Sequence, residues 1–162
     1  MSASTLHISI AAQQLSLLVQ GKPVRHYRVS TAKNGAGNTE NSGCTPLGLH
    51  YVRAKIGAGL PVNSVFVGRR FTGEYYTSSL ASRYPQRDWI LTRILWLCGL
   101  EPGFNRLGQV DSMRRFIYIH GTPDTEPMGI PLSHGCVRMR NADILELFEL
   151  IQAGCRVSIT AE

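Results

Sequence analysis

Apolar and polar positions alternate through the first third of the chain. "LHISI" (Leu6 to Ile10) has period two, "QQLSLLVQ" (Gln13 to Gln20) follows a short break, and "VRHYRVST" (Val24 to Thr31) comes after a Gly21-Lys22 turn signal. Period two places alternate side chains on opposite faces of a strand, so the run predicts a meander of antiparallel strands. Ala32 to Pro46, "AKNGAGNTENSGCTP", is turn chemistry throughout and predicts a long irregular loop, before "LGLHYVRAKI" resumes an extended pattern. A long loop inside a compact domain is often functional.

Farther on the pattern changes. "PQRDWILTRILWLCGL" is apolar nearly all round, places Ile90, Ile94 and Leu97 on one helical face, and ends at Gly99; it predicts a helix over about Gln86 to Cys98. "RRFIYIHG" (Arg114 to Gly121) predicts a strand. Asn141 predicts an N-cap for an amphipathic helix over "ADILELFELIQAG" that Gly154 stops, and "RVSIT" predicts a closing strand. The fold class expected is mainly β, a sandwich or half-open barrel with two or so helices. No repeat, low-complexity segment or linker divides residues 1–162, so one domain is expected, and this length supports a sizeable core.

Composition narrows the functional classes. The formal charge is +6, yet Arg69, Arg70, Arg83, Arg87, Arg93, Arg114, Arg115, Arg138 and Arg140 are scattered along the chain. A nucleic-acid binder gathers such residues on one face or interleaves them with exposed aromatics, so no nucleic-acid partner is expected. An anionic small substrate fits. No run approaches the length of a membrane span, and "MSASTLHISIAAQQLSLLVQGK" has neither a basic leader region nor a long apolar segment; the expected location is therefore cytoplasmic, or periplasmic if the sequence is trimmed. Cys44, Cys98, Cys136 and Cys155 are then expected as reduced thiols, most of them small packed residues.

The densest chemistry lies in "IHGTPDTEPMGIPLSHGCVRM", Ile119 to Met139. A thiol attacks as thiolate, and a free pKa of about 8.5 leaves little of it at neutral pH. Around Cys136 there are histidines that can take its proton, a small neighbour in Gly135 and a helix start nearby. One reading is a zinc site from His120, His134, Cys136 and His50, but zinc ligands usually come in close pairs and the His134/Cys136 pair has no counterpart. The other is covalent catalysis, with Cys136 as nucleophile, a histidine as base, and the Gly135 and Cys136 amides facing an oxyanion. Arg138 is then placed to hold a substrate carboxylate. No metal or other cofactor is expected.

These residues resemble a known family, the L,D-transpeptidase catalytic domain, also called the YkuD domain. The resemblance rests on His120-Gly121, "PMGIP" and "SHGCVRM" (Ser133 to Met139). It extends to the opening "LHISIAAQQLSLLVQGKPVRHYRVST", to "TPLGLHYV" (Thr45 to Val52) and to "NADILELFELIQAGCRVSI". Only residues 57–109 stay outside it. The resemblance implies a mostly β fold whose cysteine attacks the carbonyl of the third residue, usually meso-diaminopimelate, of a peptidoglycan tetrapeptide, releasing D-alanine and leaving an acyl-enzyme. It implies Cys136 as nucleophile, His120 as base and the Gly121 carbonyl as the group orienting His120. Ser133, His134 and Gly135 would shape the oxyanion site and the nucleophile's turn, and Arg138 would lie close to substrate. His134 is nearer to Cys136 in sequence, but His120, from another strand, can approach across space.

The expected partners are tetrapeptide muropeptides and carbapenem-type inhibitors. The motif does not choose between water and an amine as acyl acceptor. Most of the family carries an export signal or membrane anchor, and signal-less members are associated with trimming tetrapeptides to tripeptides. The expectation here is an L,D-carboxypeptidase in muropeptide recycling, with cross-linking or D-amino-acid exchange as the alternative and a non-catalytic muropeptide binder as the second.

Overall fold

A computed structural model describes residues 3–162. Its strands are β1 (Ser4–Ser9), β2 (Gln14–Val19), β3 (Lys22–Ser30), β4 (Gly48–Ile56), β5 (Ser64–Val67), β6 (Arg70–Tyr75), β7 (Ile90–Gly99), β8 (Tyr118–Thr122), β9 (Val137–Arg140) and β10 (Arg156–Thr160). Two helices, α1 (Ser78–Arg83) and α2 (Asn141–Leu150), complete it with one 3-10 turn at Gly108–Val110. The period-two runs near the N-terminus form β1 to β3, which pair antiparallel in sequence order. The sheet order is β4-β10-β1-β2-β3-β9-β8-β7-β5-β6, and an additional β4–β7 pairing joins the ends of the first eight strands into a closed barrel. Closure removes exposed strand edges, so every one of those eight ladders is paired on both sides.

The barrel interior is the main core. Leu6, Ile8, Leu15, Leu17, Val29, Val52, Leu95, Leu97, Ile119, Val137 and Met139 meet there. Helix α2 packs on β7, β8 and β9 and adds Ile144, Leu147 and Phe148 to the same core. Each such aliphatic side chain contributes ~1.5–3 kcal/mol by leaving water. A second, smaller cluster of Phe66, Ile94 and Tyr118 lies outside the barrel, with Ile90, Trp96 and Cys136 packed against it. Among the described residues no helix is long and apolar enough to cross a membrane.

Three local expectations are corrected. Residues 90–99 are the strand β7, and the second helix is α1, a short exposed one capped by the Thr77 hydroxyl, which accepts from the Leu80 amide at 3.0 Å. β7 is apolar on both faces because both are covered: Leu95 and Leu97 face the barrel core, Ile90, Ile94 and Trp96 the outer cluster. A strand buried on both sides has no period two, so its pattern is indistinguishable from a buried helix. The strand expected over Arg114 to Gly121 begins only at Tyr118, since Phe116 has φ +58° and residues 111–116 close in a turn on the Asp111 carbonyl and carboxylate. Asn141 does not cap α2: it is the first helical residue, Arg140 occupies the cap without a side-chain bond, and the Asn141 amide is used elsewhere.

Candidate active site

β8 and β9 run parallel with Ile119 opposite Val137 and His120 opposite Arg138. Ile119, Val137 and Met139 point into the barrel core. Alternation therefore sends Tyr118, His120, Cys136 and Arg138 to the outer face. Cys136 and His120 are two residues out of step, about 7 Å along the strands. The sheet thus brings His120 to the same face as Cys136, whereas His134 sits on the turn before it.

His120 is buried, and its Nδ1–H donates to the Gly121 carbonyl at 2.6 Å. A carbonyl can only accept, so this bond fixes the tautomer and leaves Nε2 with a lone pair. Burial lowers the His120 pKa; the Asp88 charge and the Gly121 carbonyl oppose that pull without reversing it. The imidazole is neutral at neutral pH. Gly121 has no room for a side chain: a Cβ would lie 2.5 Å from Asn141 Oδ1 and 2.6 Å from the Leu91 carbonyl. Asn141, buried, spends its amide here, accepting from the Thr92 hydroxyl at 2.6 Å and donating to Asn63 and Asp124 at 3.1 and 3.2 Å.

Cys136 is half-buried against the outer cluster. Its Sγ accepts from the Tyr118 N–H at 3.3 Å and donates to the Phe116 carbonyl at 3.3 Å. Burial pushes the thiol up to about 12; the Tyr118 N–H pulls it down, the Asp88 charge adds to the rise, and Arg138 and Arg115 oppose it. The resting pair is a neutral thiol and a neutral imidazole.

The turn before Cys136 is tightly held. Ser133 Oγ donates to the Cys136 carbonyl at 2.6 Å and accepts from the Gly135 N–H at 3.2 Å. Gly135 has φ +137°, a backbone region that glycine adopts without strain. Its carbonyl accepts from the Thr45 hydroxyl at 2.9 Å, and the Thr45 hydroxyl in turn accepts from the Ala32 N–H at 2.9 Å. The glycine- and asparagine-rich loop therefore buttresses the turn before Cys136. Arg115 holds that loop as well, donating to the Cys44 carbonyl at 2.6 Å.

Arg138 is 7% exposed; its Nη2 lies 3.2 Å from Asp88 Oδ1, while its Nε is buried without a hydrogen-bond partner among the described residues. Exposed His134 places Nδ1 3.3 Å from Asp88 Oδ2. Burial pulls the Asp88 carboxyl upward, but the neighbouring His120 and Arg138 and the His134 bond outweigh it and hold it below the usual carboxylate range. A cavity of about 220 Å³ opens here, lined by Asp88, Trp89, Thr122, Glu126, His134 and Arg138 among others. Asp88 had no motif to mark it, and it falls at the start of the run read as a helix.

His50 is remote from this group. It is fully buried on β4, with Nδ1 3.1 Å from the Gly48 carbonyl and Nε2 2.8 Å from Ser112 Oγ. Among the described residues, no three His, Cys, Asp or Glu side chains converge as metal ligands.

The L,D-transpeptidase catalytic domain family, YkuD, matches residues 3–159. A putative L,D-transpeptidase YkuD of Bacillus licheniformis is 50% identical over 42 residues, 26% of this chain and 26% of that protein. A probable L,D-transpeptidase YbiS of Escherichia coli K12 is 48% identical over 48 residues, 30% of this chain and 16% of that protein. Among solved structures, an L,D-transpeptidase from Mycobacterium smegmatis superposes with TM-score 0.59 at 14% identity, over 99% of this chain and 59% of the other. L,D-transpeptidase 3 of Mycobacterium tuberculosis, with a faropenem-derived adduct, gives 0.60 at 16% identity, over 98% and 60%. At those identities the superpositions establish a shared fold, and in each comparison this chain covers less than two thirds of the other protein.

Proposed function

Because the chain belongs to the L,D-transpeptidase catalytic domain family, we propose that it is a cysteine acyl-transfer enzyme acting on peptidoglycan tetrapeptide stems at the bond between diaminopimelate and D-alanine. The observation that carries this reading is the pairing of a Cys136 sulfur held between the Tyr118 N–H and the Phe116 carbonyl with a buried His120 on the same sheet face, whose Nδ1 is anchored by Gly121.

Substrate entry turns the thiol hydrogen from Phe116 toward His120 Nε2, since active-site hydrogen bonds often tighten only in the substrate complex. His120 takes the proton as sulfur bonds to the carbonyl carbon of the third residue. The tetrahedral oxyanion is received by backbone amides of the nucleophile's turn, which Ser133 and Gly135 shape. Collapse breaks the C–N bond, and His120 returns the proton to the amine of the departing D-alanine. A thioester on Cys136 remains. Arg138, beside the cavity, is the cation for a substrate carboxylate, and Arg138→Ala with unchanged kcat/KM would remove that role.

Water is the acceptor we favour, because the half-buried sulfur leaves the thioester within reach of solvent. An amine acceptor is the second reading, favoured by the Asp88 and Glu126 carboxylates lining the cavity, which suit an ammonium. Incubation with a disaccharide tetrapeptide, with and without excess D-methionine, decides. Tripeptide alone supports hydrolysis, exchanged or dimeric product supports transfer, and unchanged substrate supports a non-catalytic binder. A carbapenem is expected to add its mass at Cys136, and Cys136→Ala to abolish both labelling and turnover.

A further inference from the structure

Asp88 lies two residues before β7, where the chain crosses the outer face of the β8–β9 pair. Its carboxylate divides its oxygens between two partners: Oδ1 is 3.2 Å from Arg138 Nη2 and Oδ2 is 3.3 Å from His134 Nδ1. His134 stands two residues before Cys136 and Arg138 two residues after it. A single carboxylate therefore spans the nucleophile and ties both of its flanks to the segment entering β7.

We propose that Asp88 is a positioning residue of the acyl-transfer site, a bridging carboxylate that fixes the His134–Arg138 stretch around Cys136 and stabilises the imidazolium His120 becomes on taking the thiol proton. The inference rests on the activity proposed above. Asp88 carries no proton in it: the proton passes from Cys136 Sγ to His120 Nε2 and then to the leaving amine, and Asp88 stays ionised.

The groups facing Asp88 make it suited to this part. Arg138 meets it from β9 and His134 from the turn, His120 stands opposite Arg138 in the β8–β9 register, and Arg87 and Glu126 line the same cavity. Arg87 is engaged with Glu74 at 2.8 Å, and Arg138 has no other carboxylate partner among the described residues. The negative charge that opposes the burial of an imidazolium at His120 is that of Asp88. The catalytic base of this site is otherwise oriented only by a backbone carbonyl, which supplies direction but no charge.

The test is the rate of Cys136 acylation by a carbapenem across pH 4–9, for the wild-type protein and for Asp88→Asn, Asp88→Glu and Asp88→Ala, each with a thermal unfolding curve. Asp88→Asn keeps the shape and removes the charge. It is expected to lower the acylation rate by about 10- to 100-fold, the usual cost of losing a precise alignment. It is also expected to move the acidic limb of the profile to lower pH, because His120 loses the charge that favours its protonated form. Asp88→Glu is expected to recover part of the rate and return the limb toward its wild-type position. Wild-type acylation in Asp88→Asn, or a slower rate with an unshifted limb in a folded variant, would overturn the proposal. Absence of both acylation and muropeptide turnover in the wild-type protein would instead refute the activity, and the positioning role with it.

Discussion

Cysteine–histidine sites can rest as an ion pair or as a neutral pair, and the packing around Cys136 assigns this one to the neutral form. Its thiol rises from 9.0 to about 12 under burial, a penalty of about 4 kcal/mol on the thiolate. At pH 7.5 a thiol of pKa 9.0 is ~3% ionised, whereas one at about 12 is ionised about a thousandfold less. Alkylation by iodoacetamide, followed at the Cys136 peptide by mass spectrometry, is therefore expected to be slow at neutral pH and to keep rising through pH 10. An alkylation rate that levels off by pH 7–8 would show a thiolate–imidazolium pair already formed and would refute the reasoning. The Sγ contacts agree with the neutral form, since a thiolate has no hydrogen to give the Phe116 carbonyl.

Two further predictions concern the scaffold. His50 is held neutral by burial, with its folded pKa near 4 against 6.5, so only the unfolded chain binds the extra proton as pH falls. Stability contributed by neutral His50 is whole above 6.5 and is lost as pH drops toward 4, by about 3 kcal/mol; urea unfolding at pH 7.5 and 4.5 measures it, and an equal pH loss in a folded His50→Gln variant would contradict it. Gly121→Ala puts a methyl 2.6 Å from the Leu91 carbonyl, a backbone atom that cannot swing aside, so turnover is expected to fall at least about tenfold and Tm to drop; wild-type values for both would show that the β7–β8 approach is looser than described.

What was legible in the sequence was whatever local chemistry determines. Period two marked β1 to β3 because one face of each meets the barrel core, and the "SHGCVRM" run marked a tight turn at Cys136 because Ser133, Gly135 and Cys136 bond to one another within four residues. β7 was misread because burial on both faces erases alternation, and that error hid Asp88, which as a residue in the first turn of a helix had no reason to meet Arg138. The Asn141 cap failed for a related reason: an asparagine before an amphipathic run looks local, but its amide is consumed by Thr92, Asn63 and Asp124, far apart in the chain.

Those same long-range bonds show how the barrel sets the chemistry. A parallel β8–β9 pair cannot be closed by a short turn, so residues 123–136 must leave the sheet and come back. That return path gives room for the tight turn before Cys136 beside the strand carrying His120. β7 lies along the other edge of β8, so the residues just before it reach the same outer face. Three segments separated in sequence, entering β7, on β8 and before β9, thus meet on one outer face. Replacing Gly121 or Asp88 perturbs that arrangement without touching Cys136, which is why turnover is the reporter for the first and acylation rate for the second.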